Sequence, residues 1–368
     1  MGPNKILAIK LRSLGDTVLL TAPVVELTRA YPSSEIHLLA MKEWCPVLEN
    51  LPGVNRIWPY QRHPRRLGRT RGLARLAYQL RRERFDFVVN FHASPSSAAL
   101  SYATGARVRV NHFHGHQAKN RYSTVEIPGK GILKPIIERD MDCLRALGMH
   151  IPAGRLPKVP VKQAEQEDAK VYLSQLGLKK PILGLALGAS RPTKTWPLER
   201  FADLALQWAS KTNGGVLGLV GPGEEHLMHE FLKHLEGLHS RSGLGIQTDF
   251  REKIQVSCGL PLKKLAAVLQ SLSVLAGNDS GPRHLAVAVG TPTVTLFGPE
   301  HPFEWHPYPV DKNPYCFIDE LPCRKDADPG MPAWCGLTTC TVEEHKCMRL
   351  LGVENVFTQC EKVRGTGP

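Results

Sequence analysis

Apolar residues fall along this chain in short runs, separated by polar turns and by segments with helical spacing. KILAIKL (5–11) is the first such run; it ends in the polar turn RSLGD and passes into a helical pattern through TVLLTAPVVELTRAY. Pro23 is expected near the start of that helix, where proline is tolerated. EIHLLA (35–40), NRIWPY (55–60), FDFVVNF (85–91) and RVRVNH (107–112) follow as strands, with helical segments between several of them. The alternation resumes at PILGLALG (181–188), continues through the helix FADLALQWASKT (201–212) and the strand VLGLVG (216–221), and returns at VLAG (274–277) and TVTLFG (293–298). Strands alternating with helices predict βα units and a parallel sheet.

Between the two runs lies IPAGRLPKVPVKQAEQEDAKVYL, three prolines in ten residues followed by a charged helical stretch. A hinge near 152–165 follows from that composition. At 368 residues the chain is too long for one ordinary core. The expected architecture is α/β: two Rossmann-like domains, 1–165 and 166–368, facing each other across a cleft.

Composition narrows the function. With 42% hydrophobic and 22% charged residues and no low-complexity tract, wholesale disorder is excluded. No apolar run approaches the ~20 residues of a membrane span. Arg12 and Asp16 interrupt the first apolar segment and no small-residue cleavage site follows, so a signal peptide is not expected. Ile6 stands where a myristoylation signal needs Ser or Thr. A soluble, cytoplasmic protein is the expectation. The net charge of +13 is one-sided: residues 1–165 hold 26 Lys and Arg against 12 Asp and Glu, the remainder 21 against 22. The basic half is expected to meet a polyanion.

Candidate chemistry lies in the turns that follow strands. Asp16 comes straight after a Gly turn at the end of the first strand, where open parallel sheets place ligands. It reads equally as a helix cap. In LGLALGASRPTKTWPLERF, Thr193 and Lys194 sit on a loop after a strand, and lysine meets phosphate as a point charge. In LGLVGPGEEHLMHEF, Glu224 or Glu225 follows a Gly turn and is placed to accept from ribose or base. In VLAGNDSGPRHLAVAVG, Asp279-Ser280-Gly281-Pro282 opens a helix, whose first N–H groups and dipole favour an anion. No GxGxxG accompanies the first strand, so a dinucleotide dehydrogenase lacks its main support.

NDSGPRHLAVAVGTPTVTLFGP, the loop ending KTWPLERFADL and the opening KILAIKLRSLGDTVLLTAPV together resemble glycosyltransferase family 9, the heptosyltransferases of the lipopolysaccharide inner core. FDFVVNFHASPSSAALSYATGARVRV resembles the acceptor-side segment of that family, with His92-Ala93-Ser94-Pro95 in place of its usual small polar pattern. The resemblance implies a GT-B fold and an inverting transfer from ADP-heptose to a phosphorylated, lipid-linked glycan such as Kdo-lipid A. It implies that Asp16 is the general base, and that Thr193 and Lys194 hold the donor diphosphate. Glu224 would contact the nucleoside, and Asp279, Ser280, Gly281 and His284 the donor sugar and phosphates. His92 would lie on the acceptor side. No cofactor is implied for the transfer, and the Asp-x-Asp metal signature of the other glycosyltransferase fold is missing. A transferase of the same family using a different nucleotide sugar, a sugar-nucleotide epimerase of the same architecture and a silent binding protein are the alternatives; the basic first domain speaks against the epimerase, and Asp16 and Lys194 against the silent protein.

Two segments stand outside that scheme. Residues 62–84 hold nine arginines and one acidic residue, with Leu67, Leu73, Leu76 and Leu80 at roughly helical spacing. Arg65, Arg66, Arg69 and Arg71 are then either a solvated face or a surface for anionic membrane or acceptor on the inner face of the inner membrane. Nucleic acid is not expected, because no aromatic interleaving accompanies the charge. Six of nine cysteines lie beyond residue 315. Cys323, Cys335, Cys340 and Cys347 are candidate ligands of a structural Zn or Fe ion, against reduced thiols or disulfides; their spacing is not that of a paired CxxC zinc site.

Overall fold

The computed structural model describes residues 2–112, 121–127, 134–241, 250–319, 321–324, 335, 338–340 and 345–365. The chain divides into two compact units, Met1–Pro160 and Val161–Pro368, with the break inside the proline-rich segment.

The first unit is built on five parallel strands: β1 (Lys5–Lys10), β2 (Glu35–Met41), β3 (Val54–Tyr60), β4 (Phe87–Asn90) and β5 (Val108–Asn111), in the order β3-β2-β1-β4-β5. Ile6 to Ile9 of β1 are fully buried, as a central strand covered on both faces requires. β3 carries Pro59 at the sheet edge, where a missing donor is harmless. The helix Leu14–Ala30 follows β1; Pro23 lies in its interior, not near its start as expected. The helix is buried along most of its length, and packing of that kind outweighs the single backbone hydrogen bond a proline removes. The arginine-rich stretch forms the helix Arg66–Arg82, which buries Leu76 and Leu80 and half-buries Leu73. Leu67 does not join that face: it is 64% exposed in the first turn.

Beneath the sheet's carboxyl end, Lys10 turns inward from the last position of β1. Its Nζ meets both carboxylate oxygens of Asp140, on the helix Ile136–Arg145, at 3.1 and 2.9 Å. Both side chains are buried. Burial pushes the Asp140 carboxyl up, and the Lys10 ammonium opposes it.

The second unit repeats the design with six parallel strands: β6 (Leu183–Ala186), β7 (Val216–Val220), β8 (Ile254–Cys258), β9 (Val274–Asn278), β10 (Thr293–Leu296) and β11 (Tyr315–Cys316). Their order is β11-β10-β9-β6-β7-β8. β8 and β11 were not expected from the sequence: the first, IQVSC, is half polar and the second is two residues long. Trp196, Phe201, Trp208 and Phe231 form the core with the C-terminal helix Val353–Val363. Trp196 Nε1 and Arg200 both donate to Leu351 O, at 3.1 and 2.8 Å, tying that tail to the loop after β6. Among the described residues no helix is long and apolar enough to cross a membrane.

Candidate active site

In each sheet the strand order reverses beside the unit's first strand, between β1 and β4 and between β6 and β9. Outside the carboxyl ends of strands at such a reversal, neighbouring turns part and leave a crevice. Asp16 and His92 lie at the first of these places, and Thr193, Lys194 and Asp279 to His284 at the second; the arginines of the helix Arg66–Arg82 and its approach and the four cysteines lie elsewhere.

In the first unit Asp16 is in the opening turn of its helix. The Ser13 cap donates through Oγ to Asp16 Oδ2 at 2.7 Å and accepts from Asp16 N at 3.4 Å. Both readings of Asp16 are therefore physical: it completes a cap, and its Oδ1, buried, makes no hydrogen bond. Lys10 Nζ lies 4.0 Å from Oδ1 and Arg12 Nε 3.9 Å from Oδ2. His92 follows β4 on the other side of the reversal, with its N–H donating to Asn90 Oδ1 at 3.1 Å. Burial, with Arg12 and Lys10 adding to it, pushes the imidazole down to about 4, so it is neutral at pH 7. Its Nδ1 is buried without a partner. Lys10, Asp140 and Arg12 were missed by the sequence reading; only the position of Lys10 at a strand's end hinted at it.

In the second unit Lys194 ends a short 3-10 turn, Pro192–Lys194, and its Nζ donates to Asp279 Oδ2 at 2.7 Å, the first residue after β9. Asp279 Oδ1 accepts from Arg283 Nε at 3.0 Å and from its Nη2 at 2.5 Å. Burial alone would raise the Asp279 carboxyl, but Arg283 and Lys194 hold it well below the usual carboxylate range. Ser280 is the N-cap of the helix Gly281–Ala288, and its Oγ is buried with no partner. His284 points inward, 5% exposed, with Nδ1 against the Tyr308 hydroxyl; burial and Arg283 hold it neutral. Thr193 is buried, and its carbonyl accepts from His345 Nε2 at 2.5 Å.

Glu224 reaches this turn from the loop after β7, its Oε2 accepting from Gly221 N at 3.0 Å. Gly188 makes room for it: a Cβ there would stand 2.3 Å from Glu224 Oε2. Glu224, Ser190, Arg191, Thr195, His226 and Arg349 line part of a cavity of about 910 Å³, large enough for a nucleotide. Arg191 and Arg283 lie inside the quoted turn segments and Glu300 directly after one of them, yet none of the three was singled out from the sequence.

The cysteines are free thiols. Cys347 is buried, and burial pushes its thiol up to about 11, with Cys335, Cys340 and Cys323 acting in the same direction. Arg324 lies against it. Among the described residues no three His, Cys, Asp or Glu side chains stand close enough to share an ion. The Arg66 side chain lies outside the described residues, whereas Arg65, Arg69 and Arg71 are exposed.

Two all-parallel α/β units, each with its candidate turns at a strand reversal, make a fold of the GT-B type. The profile of glycosyltransferase family 9 (heptosyltransferase) matches residues 73–332, and the chain belongs to that family. It is 23% identical over 309 residues to the lipopolysaccharide core heptosyltransferase OpsX of Haemophilus influenzae, covering 83% of this chain and 82% of that one. In three dimensions it is similar to a family 9 glycosyltransferase of Veillonella parvula, with TM-score 0.75, 20% identity and coverage of 98% and 97%. It is similar also to the ADP-heptose lipopolysaccharide heptosyltransferase II of E. coli, with TM-score 0.72, 22% identity and coverage of 98% of each chain.

The Asp279 network carries a stability prediction. Because the folded carboxyl is depressed, its contribution is full above the ordinary carboxylate range near pH ~4 and fades as pH falls through the folded value. Asp279→Asn is expected to cost about 3–5 kcal/mol at neutral pH, leaving Arg283 buried without its carboxylate and Lys194 with Glu300 alone. Urea denaturation followed by tryptophan fluorescence measures this, and the acid-induced loss of stability should be smaller in the variant than in wild type.

Proposed function

We propose that this protein is an inverting, metal-independent heptosyltransferase that moves heptose from ADP-heptose to an inner-core lipopolysaccharide acceptor, either Kdo-lipid A or an already heptosylated form. The observation that supports this best is the division of labour between the two units: a carboxylate oxygen of Asp16 that makes no hydrogen bond in one, and in the other a nucleotide-sized cavity lined by Arg191 and Glu224, with Lys194 on the same loop as Arg191 and bonded to the turn that opens the helix Gly281–Ala288.

In this reading Asp16 accepts the proton of the acceptor hydroxyl as that oxygen attacks the anomeric carbon. The bond from that carbon to the diphosphate breaks, the configuration inverts, and ADP departs with the bonding electrons. Lys194, the Thr193 turn, and the Ser280 hydroxyl with the Gly281 N–H meet the growing negative charge. Glu224 accepts from the nucleoside. Asp279 and His284 act from beneath, Asp279 by holding Lys194 and His284 by its packing against Tyr308. His92, a neutral imidazole among Arg12, Lys10 and Asp16, belongs to the acceptor side. No step is assigned to a metal ion. A structural Zn or Fe ion would have to draw Cys323, Cys335 and Cys340 in around Cys347, an arrangement the described residues do not have.

The exposed arginines of the helix Arg66–Arg82 and its approach, with Leu67 and Tyr78 each 64% exposed among them, form a cationic surface with apolar points. That combination fits peripheral contact with the anionic inner face of the inner membrane, close to the lipid-linked acceptor.

Asp16→Asn should lower the transfer rate on the order of 10²–10⁴-fold, with ADP affinity by calorimetry unchanged. A variant of near-full activity would leave Asp16 as a helix cap alone. Replacing Arg65, Arg66, Arg69 and Arg71 by Gln should weaken sedimentation with phosphatidylglycerol vesicles and raise KM for a lipid-linked acceptor, with turnover on a short soluble acceptor nearly unchanged. Unaltered vesicle binding would make the run a solvated face.

A further inference from the structure

Glu300 follows β10, four residues past its end, and has no part in the transfer as described above. Its carboxylate is 8% exposed; it pairs with the Arg191 guanidinium and stands 3.6 Å from Lys194 Nζ. Lys194 is bonded in turn to Asp279, and Asp279 to Arg283. Three cations and two carboxylates thus form one continuous chain, in which Asp279, Glu300 and Arg283 are buried and Arg191 and Lys194 half-buried. Asp279 is matched by Arg283, which is 1% exposed and fixed by a second bond from Nη2 to Trp305 O at 2.7 Å. The remaining positive charge lies on Arg191 and Lys194, and Glu300 is the carboxylate shared between them. The imidazoles behind this chain, His284 and His306, are kept neutral by burial and by Arg283, so they add no charge. Arg191 also lines the cavity that Glu224 borders.

We propose that Glu300 is an internal counter-anion that a diphosphate must displace from Arg191 and Lys194, and that it thereby sets how tightly the nucleoside diphosphate is held and how readily it leaves. The inference rests on the donor-binding role proposed for Lys194. A carboxylate is an acceptor only, so it offers a phosphate oxygen no hydrogen bond. Close to a diphosphate it repels, and in a site shielded from solvent that repulsion is weakly screened. With the pocket empty, the same carboxylate offsets the charge of two half-buried cations. Glutamine in its place retains the shape and an oxygen for Arg191 while removing the charge.

Isothermal titration of the full-length protein with ADP, inorganic pyrophosphate and adenosine tests this on wild type, Glu300→Gln and Lys194→Ala. Glu300→Gln should bind ADP and pyrophosphate roughly tenfold more tightly, with adenosine affinity unchanged. A gain in affinity is not the behaviour of a misfolded variant. Lys194→Ala should bind ADP roughly ten- to a hundredfold more weakly. If Lys194→Ala weakens ADP but Glu300→Gln leaves it unchanged or weaker, the counter-anion role is overturned and the donor site stands. If Lys194→Ala binds ADP as wild type does, the donor site falls, and the role of Glu300 with it.

Discussion

The carboxylate of Asp279, buried between Lys194 and Arg283, joins the turn after β6 to the turn after β9, and the arrangement of the second unit's site depends on that join. The two turns are 85 residues apart in sequence. A buried carboxylate that lost one partner would strand charge in a low-dielectric interior, so both turns are held in register by the cost of separating them. Lys10 and Asp140 repeat the device in the first unit, across 130 residues, directly beneath Asp16. Each candidate site thus rests on a lysine–carboxylate pair, fully buried in the first unit and buried on its carboxylate side in the second.

The two sheets explain why those pairs fall where they do. All strands in each unit run parallel, so the βα turns collect at one edge, and the reversal of strand order parts two of them. Asp16 and His92 flank the reversal in the first sheet, Lys194 and Asp279 the one in the second. The C-terminal tail braces the second candidate site: Leu351 accepts from Trp196 and Arg200, and His345 holds the Thr193 carbonyl, so the loop after β6 is held by residues about 150 positions away.

Long apolar strands, the βα alternation and the chemistry-bearing turns were legible in the sequence because each is a local pattern. β8 and β11 were not, one being half polar and the other too short to show a period. Leu67 has the spacing of a buried position but sits in the first turn of its helix, before that helix meets the sheet, and stays in water. Pro23 was misplaced because propensity places proline at helix starts, while burial along Leu14–Ala30 overrides it. Arg191, Arg283, Glu300 and Asp140 were invisible for a different reason. A charged residue reads as surface until its partner is known, and Asp140 and Glu300 find theirs more than a hundred residues away. The four cysteines were legible as a group, and the structure gathers three of them near Cys347 without bringing three ligands onto one point.

The central claim is that this chain transfers heptose from a nucleotide donor to a lipid-linked inner-core acceptor. Incubation of the purified protein with ADP-heptose and Kdo-lipid A, or its heptosylated form, followed by mass spectrometry of the acceptor, tests it directly. The account predicts an acceptor heavier by one heptosyl residue, one ADP released per transfer, and inverted configuration at the new anomeric carbon. Unmodified acceptors with intact ADP-heptose, or a product of retained configuration, would contradict it.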